Sequence, residues 1–410
     1  MKRKSLNIAI FHLGFVYSGG GEKLVITQAL GLMKAGHKVD VFAPVVDKKV
    51  CFPGLIRKVS VSQMIPSFRF LPEWESLQVI LACLVAPFIA RRYRNYDVIF
   101  ACNQPSCWIA YWVKRLYGVS YVSYLAQPTR FIYPRKIDKE EGLIFTKKYP
   151  MSLVSILLKV SRPFSLYVDK KSIQASNVIL SNGDYITRLI KSVYSVSSKD
   201  VSAPASIEPD IVSRSKREKG FLKVGNIRIK KPYLLVTNRH FPQKRFEYAL
   251  FVLQSLIADY ESIKLVITGG ETAYTAYIKK LAQELSLIDH MIFTGLVSES
   301  ELSRLYKNAF VYLYTAPEED YGMGIIEAMG AGTPVVVWDK AGPKYLVENG
   351  VDGLTSAEGD LSEYINNVHQ LVHTKSLYLK IQKNAYSKVK NSYSVSEHIK
   401  SIEKVLTEVI

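Results

Sequence analysis

Short apolar runs alternate with amphipathic stretches along the chain, and glycines mark the turns between them. Residues 7–12 (NIAIFH) form an apolar run of strand length, broken by Ser18-Gly19-Gly20-Gly21. Beyond Glu22, the apolar positions Leu24, Val25, Leu30, Leu32 and Met33 continue as far as Gly36, which predicts a helix over 22–35. Residues 38–44 (KVDVFAP) are the next expected strand. A strand–helix–strand opening predicts a parallel sheet with helices on both faces. The rhythm recurs as strands at 97–101, 120–125 and 177–180 with helices at 106–117 and 185–194. Residues 195–225 are polar, basic and poorly periodic, and the domain boundary is expected there. The alternation then restarts, with strands at 233–237, 264–268, 291–294, 311–314 and 334–338. Helices at 246–258, 274–285, 298–307 and 324–329 separate them.

The expected fold class is α/β, with two doubly wound Rossmann-like domains facing across a cleft. The expected boundaries are 1–208, 209–390 and a terminal helix over 391–410 that crosses back to the first domain. No repeat of 20–50 residues and no low-complexity tract interrupts this plan.

With 410 residues, 48% of them hydrophobic, the chain has ample apolar surface for a folded core. The formal charge of +18 is uneven, at +17 for residues 1–200 and +1 for the rest. That asymmetry predicts an anionic partner for the first half, either nucleic acid or a membrane surface. Cys51, Cys83, Cys102 and Cys107 are too sparse for a disulfide scaffold and lack zinc-site spacing, so buried thiols in a reducing compartment are expected. The basic start is followed by an apolar run too short for a signal peptide. The longest apolar run, 77–90, falls short of the roughly 20 residues a spanning helix needs, so a soluble or surface-lying chain is expected.

The glycine loop Gly19-Gly20-Gly21-Glu22-Lys23 has neither GxGxxG nor P-loop spacing. Its chemistry is simpler: Gly20 and Gly21 admit a ligand to the backbone, and the following helix offers its N-terminus to an anion, or the loop is only a tight turn. The densest signal is Glu319-Asp-Tyr-Gly322-Met323-Gly324-Ile325-Ile-Glu327-Ala-Met-Gly. The glycines place Glu319 on a loop and Glu327 in the first turn of a helix whose N-terminal amides, around Gly324 and Ile325, face an anion. Carboxylates beside a diphosphate suit sugar or ribose hydroxyls. Arg239 and Lys244 leave a strand toward the next helix, at the end of the sheet where ligands bind, and their charges match a diphosphate.

These motifs resemble the large retaining GT-B glycosyltransferase family 4, over nearly the whole chain. Gly19–Glu22 with Ala35-Gly36-His37-Lys38-Val39 is similar to its N-terminal GGxE…GHxV pattern. Arg239 and Lys244 match its R-x4-K pair, and Glu319 and Glu327 its E-x7-E motif. Gly342-Pro343-Lys344 and Gly350-Val351-Asp352-Gly353-Leu354 resemble two later loops. The resemblance implies a hexosyltransferase that moves a mannose-, glucose- or N-acetylglucosamine-class sugar from a nucleotide diphosphate sugar with retention of configuration. Arg239 and Lys244 would hold the diphosphate, Glu319 the transferred sugar and Glu327 the ribose. Gly20, Gly21, Gly322, Met323, Gly324 and Ile325 would line the donor. The implied acceptor is lipid-linked or a polysaccharide, and no cofactor and no metal are implied.

One departure concerns residues 124–134. This stretch is similar to a family segment that carries a histidine four residues before its arginine, here Arg130. Ala126 stands at that histidine's place and offers no side-chain hydrogen bond. Either Gln127 or His12 takes over the contact, or the donor sugar lacks the hydroxyl concerned, or both residues are structural. The other histidines, including His37, His369 and His373, read as surface or helix-face residues. An epimerase of the same fold and an inactive member stay open as alternatives. Nucleic acid is not expected, because the basic residues are scattered and no recognition motif occurs. Basic-apolar stretches at 77–94 and 151–171 instead favour an anionic membrane, with the chain cytoplasmic and peripheral on its inner face.

Overall fold

The computed structural model of the protein describes residues 5–67, 74–130, 132–141, 160–205 and 217–410. The chain divides into two units, Met1–Ala203 with Val395–Ile410, and Pro204–Ser394. The expected border between residues 208 and 209 lies outside the described residues.

The first unit is organised on a seven-stranded sheet. Its spatial order is Ser60–Gln63, Lys38–Ala43, Asn7–His12, Val98–Cys102, Ser120–Leu125, Val178–Ser181 and Lys199–Asp200, all parallel. Crossover helices cover both faces of such a sheet, so central strands are buried on both sides and need continuous apolar sequence. VIFAC at Val98–Cys102 meets that demand and is buried throughout. The strand order reverses between Asn7–His12 and Val98–Cys102, which makes the carboxyl ends of these strands the natural ligand edge.

The terminal helix begins later than expected, at Val395, because helix Lys375–Ser392 runs through residues 391 and 392. Helix Val395–Glu408 lies on helix Gly20–Lys34, where Ile399 fills the space that a side chain at Gly31 would need. His398 accepts at Nε2 from Gln28 (3.1 Å) and donates from Nδ1 to the Ser202 carbonyl (2.9 Å). Only a neutral imidazole satisfies both contacts, and burial lowers its pKa to about 4. His37, expected at the surface or on a helix face, is buried beside Glu403 at 3.4 Å. All four cysteines are free thiols, and burial pushes Cys51 and Cys107 up to about 12.

The second unit repeats the topology with six parallel strands. Their order is Met291–Gly295, Lys264–Thr268, Tyr233–Thr237, Val311–Tyr314, Val335–Trp338 and Leu354–Ser356. The reversal falls between Tyr233–Thr237 and Val311–Tyr314. The helix expected at 298–307 is Glu299–Asn308, set by a Ser298–Glu301 capping box. The polar stretch 195–225 is not all linker. Phe221–Val224 pairs antiparallel with Ile227–Lys230, and Lys223, Arg228 and Lys230 take the exposed positions of a two-residue alternation too brief to stand out.

Among the described residues, no single helix is long and apolar enough to cross a membrane. Trp74–Leu84 and Ala86–Tyr93, bent by 69°, reach that length and composition only as a pair.

Candidate active site

The strongest sequence signals meet at the switch point of the second sheet. Strand Tyr233–Thr237 ends in the loop that carries Arg239, and a short 3-10 turn, Pro242–Lys244, delivers Lys244. The loop is tied down by its backbone. Asn238 N–H donates to the Thr268 carbonyl (3.1 Å) and His240 N–H to that of Gly270 (3.0 Å). Gly269, at φ +138, is required here, because a side chain would overlap the Asn238 carbonyl. Buried His240 packs beneath the loop with Nδ1 2.9 Å from the Thr275 hydroxyl, and burial lowers its pKa. Arg239 is exposed, its guanidinium 5.3 Å from the Phe241 ring centre.

Lys244 and Glu319, 75 positions apart, form a direct ion pair. The Thr315 hydroxyl fixes the lysine backbone by donating to the Lys244 carbonyl at 2.7 Å. Tyr314 donates its hydroxyl to the same Glu319 Oε2 at 2.8 Å. Burial, with the Glu319 charge added, raises the Tyr314 pKa well above its ordinary value, so the phenol keeps its proton and donates. The Glu319 carbonyl accepts from Gly342 N–H (2.8 Å), which anchors this loop to the start of helix Ala341–Leu346.

Glu327 differs from its expected place. Helix Met323–Gly330 starts at the Gly322 cap, at φ +108, so Glu327 is its fifth residue and lies beyond the first turn. It is buried, and its partner is a hydroxyl: Tyr306 donates to Glu327 Oε2 at 2.9 Å. Thr237 Oγ1 lies 2.8 Å from both the Tyr306 and Tyr312 hydroxyls. With the Tyr306 proton committed to Glu327, the consistent direction runs from Tyr312 through Thr237 and Tyr306 to the carboxylate. Gly324 sits against this cluster, and a Cβ there would run into the Tyr312 hydroxyl. The Ile325 amide, expected to face an anion, donates instead to the Gly322 carbonyl at 2.9 Å.

Thr237, Tyr306, Tyr312, Tyr314 and Thr315 were not evident as site residues from sequence. The one available signal was VYLY at Val311–Tyr314, whose two-residue period puts both tyrosines on one face at a ligand edge.

The remaining candidates belong to the first unit. His12 ends the first strand, buried, with Nδ1 3.4 Å from the Cys102 carbonyl and Nε2 3.9 Å from Glu22 Oε1. Helix Gly20–Lys34 starts beside it at Gly19, where a Cβ would collide with Glu22 and the Tyr17 ring. Gly20 is exposed, and nothing lies within 4 Å of a Cβ placed on Gly21. Ala126 N–H donates to Asn103 Oδ1 (2.8 Å) after strand Ser120–Leu125, and Gln127 next to it is exposed. Arg130 donates to the Tyr133 carbonyl at 3.3 Å. His12 therefore ends, and Asn103 and Gln127 follow, three adjacent strands at their carboxyl edge.

Residues 219–388 match the family Glycosyl transferases group 1, and residues 18–203 match Glycosyltransferase Family 4. An alpha-1,3/1,6-mannosyltransferase of Dictyostelium discoideum is 23% identical over 98% of this chain and 98% of its own length. The GDP-Man:Man(3)GlcNAc(2)-PP-Dol alpha-1,2-mannosyltransferase of the same organism is 29% identical over 35% of this chain and 31% of that protein. Among solved structures, Anabaena HepE in complex with UDP and glucose superposes with a TM-score of 0.73 at 16% identity, covering 98% of this chain and all of that one. Two doubly wound sheets of the GT-B kind, matched along both halves by these families, lead to one conclusion: the chain belongs to the group 1 glycosyltransferases of family 4.

Proposed function

We propose that the chain is a retaining hexosyltransferase that moves a mannose-, glucose- or N-acetylglucosamine-class sugar from a nucleotide diphosphate sugar to a lipid-linked or polysaccharide acceptor. The observation that carries this is the meeting of Lys244, Glu319 and the Tyr306–Glu327 pair at one switch point. Two relatives named as mannosyltransferases and a structural neighbour holding UDP and glucose support a hexose donor.

In this reading Arg239 and Lys244 bind the diphosphate. Lys244 exchanges its Glu319 carboxylate for phosphate oxygens, so the ammonium keeps an anionic partner throughout. Glu319, still held by Tyr314, then accepts from sugar hydroxyls, and Glu327 accepts from the ribose. The bond between the anomeric carbon and the diphosphate oxygen breaks, and its electron pair goes to the diphosphate. The two cations and the N-terminus of helix Met323–Gly330 stabilise that charge, so the donor site is assigned no metal. The acceptor oxygen bonds to the anomeric carbon from the face the diphosphate leaves, and its proton passes to the departing diphosphate. Met323 and Gly324 bring backbone close to the donor, and in the first unit Gly20 and Gly21 offer backbone, and His12, Gln127 and Arg130 side chains, to a substrate.

We assign the acceptor role to the basic first unit and place the protein on the inner, cytoplasmic face of a membrane. The support is the +17 charge of residues 1–200 together with exposed Leu84, Phe88, Phe164 and Tyr167 near Arg91, Arg94 and Arg162. Residues 151–159 of the second basic-apolar stretch lie outside the described residues. Flotation with anionic vesicles at low salt tests this, and absence of binding overturns it.

The donor test is thermal unfolding with UDP, GDP, ADP and their sugars. One base is expected to raise the midpoint by several degrees, and Glu327→Ala and Arg239→Ala are each expected to abolish the rise. No shift with any nucleotide overturns donor binding; a shift retained in both variants overturns the assigned site.

A further inference from the structure

The search for chemistry outside the donor site leads to the far edge of the second sheet. Asp259 follows helix Glu247–Leu256 and precedes strand Lys264–Thr268, while His369 and His373 close helix Leu361–His373. The topology places all three at the amino-terminal edge of the strands, opposite the edge that carries Glu319. Four residues apart on a helix, the imidazoles share one face, with ring centres 5.6 Å apart and planes 26° from parallel. Both turn toward one oxygen. His373 Nε2 is 3.1 Å and His369 Nδ1 3.6 Å from Asp259 Oδ2, and all three ligand atoms lie within 4.8 Å of one another.

That spacing suits an ion. Donor atoms at 2.0–2.1 Å around a tetrahedral zinc stand roughly 3.3 Å apart, and the two observed distances bracket that value. The His369 ring is also oriented from behind. The Ser255 hydroxyl lies 3.1 Å from its Nε2, leaving Nδ1 for the cluster, as an outer partner does for a metal-bound imidazole. Tyr260 stacks on the His373 ring, with centres 5.8 Å apart. The side chains are 29% to 46% exposed, so an ion has an entry path and water can complete its coordination.

We propose that Asp259, His369 and His373 form a binding site for a divalent transition-metal ion, zinc foremost. Two imidazoles and one carboxylate select zinc, nickel or copper over magnesium or calcium, which prefer all-oxygen sites. The ion joins the segment after helix Glu247–Leu256 to the last turn of helix Leu361–His373, so its occupancy stabilises the second unit by mass action. The proposal is independent of the sugar-transfer reading.

The full chain, stripped with a chelator and dialysed, is titrated with zinc chloride by calorimetry, with magnesium chloride as the control. One zinc per chain is expected, no comparable heat with magnesium, and a rise of a few degrees in the unfolding midpoint on saturation. His373→Gln and Asp259→Asn are each expected to weaken binding at least tenfold and remove the rise. Their unfolding midpoints in chelator, compared with that of the unaltered chain, confirm that they fold. Cobalt(II) gives a second readout, a visible absorption band in the unaltered chain that both variants lose. Zinc binding and midpoint rise unchanged in the double variant His369→Gln/His373→Gln overturns the proposal, as does failure of the unaltered chain to bind zinc.

Discussion

Where the strand order reverses in the second unit, Tyr314, Tyr306 and Lys244 hold two carboxylates in place. At the matching reversal in the first unit, His12 stands 3.9 Å from Glu22 beside a loop of small residues. One topology thus supports two kinds of ligand edge. The hydroxyl-held edge is built in advance for a small, charged partner, because buried phenols that keep their protons orient each carboxylate. The glycine edge leaves backbone open and commits few side chains, so it offers mainly backbone contacts to whatever binds there.

The contrast breaks most readily at Lys244. Replacement by Ala is expected to lower kcat/KM about 10²–10³-fold, roughly 3–4 kcal/mol, beyond any stability loss from leaving Glu319 without its ammonium. His12→Ala is expected to act mainly through the acceptor KM. Steady-state kinetics with both substrates varied decides this, and equal losses through the donor KM in both variants would erase the distinction. Gly324→Val comes next. Its side chain would displace the Tyr312 hydroxyl from Thr237, so a stability loss of about 1–3 kcal/mol by urea unfolding is expected, with donor binding lost as well.

A third test uses the helix that returns to the first unit. His398 has a folded pKa of about 4, against about 6.5 in the unfolded chain, so the unfolded state binds the extra proton between those values. Stability is complete above pH 6.5 and is lost as pH falls toward 4. From pH 7 to pH 5 the loss is expected to be roughly 2 kcal/mol. Urea midpoints at the two pH values check it, and His398→Gln is expected to flatten the difference. An unchanged slope in that variant would move the acid sensitivity elsewhere, to the second unit's buried His240 first.

These tests also mark how far the sequence was legible. The parallel strands could be seen because burial on both faces demands unbroken apolar runs such as VVVW at Val335–Trp338. Edge strand Ser60–Gln63, with three of its four residues polar, has no such run and was missed. Glu319 and Glu327 stood out because glycines mark the turn after strand Val311–Tyr314, and Arg239 and Lys244 because they directly follow the apolar run Tyr233–Thr237. Their partners could not be seen, since Tyr306 reaches Glu327 from a neighbouring helix that only tertiary packing brings close. Distance along the chain hid the Asp259–His369–His373 cluster in the same way: 114 positions separate Asp259 from His373, and each looks like plain surface charge.

The smallest expected effect is the most discriminating for the glycine edge. Gly19→Ala is a poor probe, because the new methyl would strike Glu22 and Tyr17 whatever the loop does. Gly21 is a clean one, lying inside helix Gly20–Lys34 with open space where a Cβ would point. Ala at that position restricts the unfolded chain and suits a helix, so Gly21→Ala is expected to raise stability by about 0.4–1 kcal/mol. If the loop admits a substrate to its backbone, the same methyl obstructs that approach and kcat/KM falls several-fold as the unfolding midpoint rises. The two readouts then move in opposite directions, which a purely structural turn would not produce. A more stable enzyme with undiminished activity would reduce the glycine loop to a tight connection and leave ligand recognition in the first unit to His12 and the residues after strand Ser120–Leu125.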